Sequence, residues 1–141
     1  MEGRPLLAFT ALQIGLAGVV LWLIFSQRVS WDLQRGVGLA LVVVGYGGIA
    51  AARYQLGKSF SITPQARQLV TRGVYSKIRN PIYVFGAVAI AGLILILRQP
   101  SLWLLLVLII VMQVLRARRE AQVLEAAFGD AYREYRRKTW F

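Results

Sequence analysis

Four apolar blocks, each near the length of a bilayer crossing and each bounded by charged or turn-forming residues, divide the 141-residue chain. A soluble domain gathers its apolar side chains into one core, whereas blocks of this kind match about 30 Å of hydrocarbon. They run from about Leu6 to Phe25, Gly36 to Ala52, Pro81 to Leu97 and Ser101 to Leu115. A composition of 57% hydrophobic and 16% charged residues is too apolar for a soluble domain of this size and too short for two domains. The expected fold is therefore all-α: one polytopic membrane helical bundle over 1–141, with about four transmembrane helices and a cytoplasmic carboxy-terminal helical segment.

The first block is too long for the apolar core of a signal peptide and has no clear small-residue cleavage site before Arg28, so a retained helix is expected. The second carries Gly36, Gly38, Gly45, Gly47 and Gly48, which lower helix stability in water but allow close helix approach in lipid. Pro81 suits the first turn of the third span, and Arg98-Gln99-Pro100 makes a tight turn into the fourth. That turn makes spans three and four an antiparallel hairpin, which brings Asn80 and Glu120 to one membrane face. Beyond Leu115, the spacing of Val123, Leu124, Ala127 and Phe128 continues the fourth helix out of the bilayer to a break at Gly129-Asp130. Between Arg53 and Arg79, Gly57, Pro64 and Gly73 predict an extended loop with short helical pieces.

The formal charge of +11 does not point to nucleic acid, because the basic residues flank apolar spans and do not form a face with interleaved aromatics. Arg53, Lys58, Arg67, Arg72, Lys77 and Arg79 lie in one loop, and Arg116 to Lys138 is equally basic. The positive-inside rule puts 53–80, 116–141 and both termini in the cytoplasm, leaving Arg28, Arg35 and Arg98 outside. The expected location is a bacterial or archaeal cytoplasmic membrane, with membrane lipids as partners. Oligomeric state is left open.

The chain has no Cys and no His. A thiol nucleophile and a thiolate or imidazole metal site are thereby excluded, and no metal is expected. The remaining polar chemistry converges on two clusters. One is Leu69-Val70-Thr71-Arg72-Gly73-Val74-Tyr75 with Arg79-Asn80-Pro81-Ile82-Tyr83; the other is Glu120 with Phe128-Gly129-Asp130-Ala131-Tyr132-Arg133-Glu134-Tyr135.

These two clusters, in this order and separated by one hairpin, resemble the LVxxGxYxxxRxPxY and ExxxL…FGxxYxxY signatures of the isoprenylcysteine carboxyl methyltransferases and the related phospholipid methyltransferases. The resemblance covers about Gln68 to Tyr135. It implies an integral-membrane enzyme that binds S-adenosylmethionine on the cytoplasmic side and takes a lipophilic small-molecule or lipid acceptor from the bilayer. Arg79, Asn80, Pro81 and Tyr83 fall on the family's Arg-His/Asn-Pro-x-Tyr element, and Glu120 on the first of its paired glutamates. The implied catalytic pair is Arg79 and Glu120. Gly73, Tyr75, Asn80 and Tyr83 join both of them as cofactor-binding candidates. Three departures stand out: Ala121 at the second acidic position, Phe85 followed by Gly86 where a glycine often stands, and an end at Phe141 that leaves less chain to close over the cofactor.

Methyl transfer suits a chain without histidine, because displacement at a sulfonium methyl needs positioning and charge placement more than a strong base. Arg79 presents a planar fork to a carboxylate, and Glu120 an acceptor to an ammonium or a counter-charge to a sulfonium. Each residue also has an ordinary reading: Arg79 as a snorkelling interfacial cation, Glu120 as the i to i+4 partner of Arg116, Tyr75 and Tyr83 as belt aromatics, Asn80 as a helix start. Tyr132, Arg133 and Tyr135, with Arg136-Arg137-Lys138, read as a tail anchored to anionic headgroups, outside the site. The rival functions are a non-catalytic membrane protein of the same fold acting as an assembly partner, and a nicotinamide-dependent reductase. The reductase lacks a visible dinucleotide-binding element.

Overall fold

The computed structural model describes residues 31–56 and 69–141 together with Gly15, Gly18 and Trp22. The remainder of the expected first span, and residues 57–68 of the basic loop, lie outside the described residues. Among the described residues the chain is all-helical: α1 is Leu33–Leu56, α2 Pro81–Leu97, α3 Leu102–Phe128 and α4 Asp130–Lys138, with a 3-10 turn at Gly73–Ser76 before α2. Residues 78 and 140 form an isolated parallel bridge, and there is no strand among the described residues.

Local chemistry accounts for most of these boundaries. Asp32 starts α1, its Oδ1 accepting the Arg35 N–H at 3.0 Å and its carbonyl accepting the Gly36 N–H at 3.0 Å. The helix therefore begins before the expected Gly36 and also runs past Ala52, taking Arg53 to Leu56 from the predicted loop. α2 has the predicted limits. Pro81 occupies its first turn, and Arg98 ends it in the left-handed region at φ 55, its N–H donating to Ile94 O at 2.9 Å. α3 passes Leu115 without a break, as its amphipathic continuation predicts, and stops where Gly129 takes φ 52.

The rigid part of the fold is the antiparallel pair of α1 and α2. A Cβ at Gly38 would stand 2.7 Å from Gly92 O, one at Gly45 2.6 Å from Ala89 Cβ, and one at Gly92 2.8 Å from Val42 N. The two backbones thus approach too closely for any larger residue, which is the small-residue helix packing favoured in lipid. Gly36 and Gly47 face open space and take no part in the contact. At the far end of the pair, α1 side chains cover the terminal carbonyls of α2: Gln34 Nε2 donates to Leu95 O at 3.2 Å and Arg35 Nε to Ile96 O at 3.4 Å. An Asp32–Arg98 ion pair closes the same end. Arg35 and Arg98 thus lie at the same end of the pair.

α1 is long and apolar enough to cross a bilayer, whereas α2, at 17 residues, is apolar but shorter. α3 is apolar to Leu115 and charged from Arg116 onward. Its outer face leaves Trp103, Leu104, Leu105, Val107, Leu108, Val111, Met112 and Leu115 exposed. So large a contiguous apolar surface suits hydrocarbon better than water.

Candidate functional site

The hairpin of α2 and α3 brings the start of one helix beside the charged turn of the other. Tyr83, in the first turn of α2, donates its hydroxyl to Glu120 Oε1 at 2.6 Å, across 37 residues of sequence. Arg116 Nε donates to the same oxygen at 3.1 Å and its guanidinium lies 5.9 Å from the centre of the Tyr83 ring. Arg116 and Glu120 thus form the i to i+4 pair expected of an ordinary helix face, but Tyr83 ties that pair to α2. Both bonds fall on Oε1; among the described residues nothing bonds Oε2.

The 3-10 turn supplies the next wall. Gly73 has φ +62, and a Cβ there would run into the Gln55 side chain at the end of α1. Gln55 Oε1 accepts the Val74 N–H at 2.7 Å. Tyr75 is buried, and its carbonyl accepts the Tyr135 hydroxyl at 2.7 Å, which docks α4 onto the turn. Burial, then the nearby Tyr135 and Glu120, push the Tyr75 phenol above its ordinary range. Tyr75 and Tyr135 are thus bonded to each other, and the Glu120 charge acts on the Tyr75 phenol.

Arg79 is held by its backbone at the edge of this cluster. Its N–H donates to Trp140 O at 3.0 Å, that of Asn80 to Phe141 O at 2.9 Å, and that of Trp140 back to Lys77 O at 2.7 Å. The tail thereby lies alongside the Arg-Asn-Pro element. The Arg79 charge acts on both Tyr132 and Tyr135. Burial raises the Tyr132 phenol and the Arg79 charge opposes that rise, while burial is also the main cause pushing Tyr135 up to about 12. Among the described residues, Arg79 Nε is buried without a hydrogen-bond partner. Asn80 stands at the N-cap of α2, and its side chain makes no capping bond.

The structure joins Tyr83 to Glu120 and Tyr135 to Tyr75 and sets the Arg79 charge near Tyr132 and Tyr135; Gly73 lies in the same turn as Tyr75, packed on the Gln55 side chain. Tyr132 and Tyr135 were missed in sequence as neighbours of the site. Their i, i+3 spacing puts both on one face of α4, and both are buried. The exposed side of α4 carries ion pairs: Arg133 and Arg136 pair with Glu125 at 2.8 and 3.3 Å, and Lys138 with Glu134 at 2.6 Å.

A family model described as phospholipid methyltransferase matches residues 33–131, more than two thirds of the chain. The chain belongs to the phospholipid methyltransferase family. That family includes the isoprenylcysteine and phospholipid methyltransferases, and its members are methyltransferases. The match begins with α1 and ends in α4, so it takes in the glycine-packed pair, the whole first motif and the second motif as far as Ala131. No curated protein and no solved structure matches the chain.

In this family member the bond from Tyr135 to the turn is open to a direct check. Tyr135→Phe removes one buried hydrogen bond and leaves the Tyr75 carbonyl without it, so thermal unfolding should show a loss of about 1–2 kcal/mol. The folded chain also keeps the Tyr135 proton up to about 12, whereas the unfolded chain releases it near the ordinary tyrosine value of 10.0. Wild-type stability should therefore fall as pH rises through that window, and less steeply in Tyr135→Phe.

Proposed function

We propose that the chain is an S-adenosylmethionine-dependent integral-membrane methyltransferase. Its acceptor is lipophilic, an isoprenoid-type carboxylate or a lipid, methylated at the cytoplasmic face of a four-span bundle. The observation that carries this reading is the Glu120 carboxylate, fixed by Tyr83 from the opposite helix and by Arg116, with Oε2 bonded to nothing among the described residues. The buried Arg79 Nε, which has no hydrogen-bond partner among the described residues, supports it, because a buried donor of this kind calls for an acceptor.

These residues fit the two ends of an amino-acid moiety. Arg79 offers its fork to the carboxylate, and Glu120 offers Oε2 to the ammonium or to the neighbouring positive sulfur. When bound, S-adenosylmethionine supplies an electrophilic methyl group on a sulfonium. Tyr83 and Arg116 hold Glu120 in place before the reaction, so little reorganisation is left for the moment of transfer. Tyr75, Tyr132 and Tyr135 close the cluster against water. Asn80, with its side chain free of the helix cap, and the Gly73 turn complete the proposed set of contacts. A carboxylate acceptor needs no base at neutral pH, whereas an amine must first lose a proton.

Calorimetry with S-adenosylmethionine and S-adenosylhomocysteine on detergent-purified protein tests this reading. Saturable binding is expected, weakened about 10- to 100-fold by Arg79→Ala, the range for losing a bond between charged groups. Absence of binding to the folded wild-type protein would favour a non-catalytic member of the family, a reading to which Ala121 in place of the second acid also points.

A further inference from the structure

We infer that Gln55 is a positioning residue for the cofactor site, although it lies on a different helix from every residue of the two motifs. The inference rests on the methyltransferase reading given above. α1 is fixed against α2 by backbone-close contacts at Gly38, Gly45 and Gly92, so a side chain in its last turn stands on a rigid support. From there Gln55 does two things to the turn that follows the loop. Its Oε1 accepts the Val74 N–H at 2.7 Å, and its side chain fills the space beneath Gly73, where a Cβ would collide with it.

That contact sets the height and direction of the Gly73–Ser76 turn. The next residue is Tyr75, whose carbonyl takes the Tyr135 hydroxyl and whose phenol feels the charge of Glu120. A chain of contacts thus runs from the α1/α2 pair through Gln55 and the turn to Tyr75 and, through its carbonyl, to Tyr135. Gly73 has a structural reason to be glycine in this arrangement: its φ of +62 and the Gln55 side chain both exclude a Cβ. Without the anchor, the bonds left to the turn among the described residues are its attachment to α4, the Ser76 Oγ to Gly73 O bond of 2.6 Å, and the Lys77 and Ile78 N–H groups donating to Val74 O at 3.2 and 3.0 Å, none of which ties it to α1.

The test compares Gln55→Glu, which retains an acceptor oxygen at the same place, with Gln55→Leu, which has similar volume and no acceptor. Hydrogen exchange of the Val74 amide and calorimetric affinity for S-adenosylhomocysteine are measured in both. In Gln55→Leu the Val74 amide should lose protection and the affinity should fall about 5- to 10-fold, the size of one hydrogen bond, while Gln55→Glu stays near wild type. Val74 exposed in Gln55→Leu with unchanged affinity would overturn the positioning role. Unchanged Val74 protection would overturn the bond itself. If wild-type protein binds no S-adenosylhomocysteine, the methyltransferase reading fails and the positioning role with it, while the amide exchange still reports whether Gln55 holds the turn.

Discussion

Glu120→Gln should leave the protein folded and reduce methyl transfer from S-adenosylmethionine by about 100-fold in kcat/KM, the size of losing one preorganised electrostatic contact. Glutamine keeps an oxygen that can accept from Tyr83 and Arg116, so the α2–α3 contact survives and only the charge is lost. Tyr83→Phe makes the complementary change. It preserves the charge and removes one of the two bonds that fix it, and about 5- to 10-fold is expected. Transfer of label from the cofactor to a lipid extract, with thermal unfolding as the control for folding, separates the two. Wild-type turnover in Glu120→Gln would reduce Glu120 to a surface partner of Arg116.

The second large effect concerns the scaffold. Gly92→Val places a branched side chain where even a Cβ would stand 2.5 Å from Gly38 O and 2.8 Å from Val42 N. Both are backbone atoms that cannot step aside, so the α1/α2 pair must separate. A loss of about 3 kcal/mol or more is expected, at the upper end of overpacking costs, seen as a lower unfolding temperature or failure to accumulate. Gly47→Ala is the control: nothing lies within 4 Å of its Cβ position, and alanine is the better helix former. Equal destabilisation by both would mean that the close approach at Gly92 is not what holds the pair together.

Where local chemistry fixed an element, the sequence was legible. Proline at the start of α2 and the Arg-Gln-Pro turn at its end gave its limits residue for residue. The periodic apolar residues beyond Leu115 carried α3 past the hydrophobic block. The hairpin argument placed the start of α2 beside Glu120, and Tyr83 does meet it there. α1 is longer than its apolar core because Asp32 caps it four residues before Gly36 and because Arg53, Tyr54 and Gln55 are compatible with helix although not with lipid. Contacts that join distant segments without any periodic trace were not legible. Nothing in Gln55 announces Val74, and nothing in Trp140 announces Arg79. Tyr132 and Tyr135 did carry a signal, their shared helix face, but the surrounding arginines and lysine made the segment read as a headgroup anchor. The Glu125 pairs turn that charge outward and the two rings inward.

The pairing of the tail with the Arg-Asn-Pro element has a consequence in time. The α1/α2 pair is made entirely from residues 33–97 and can assemble as soon as that stretch has left the ribosome. The backbone N–H groups of Arg79 and Asn80, in contrast, find their carbonyls on Trp140 and Phe141, more than forty residues downstream of α2. At ~5–20 residues per second, synthesis reaches that tail roughly 2–9 seconds after α2 is complete. The newborn protein therefore spends those seconds as a paired helical scaffold that still awaits Glu120, the α4 tyrosines and the tail of its site.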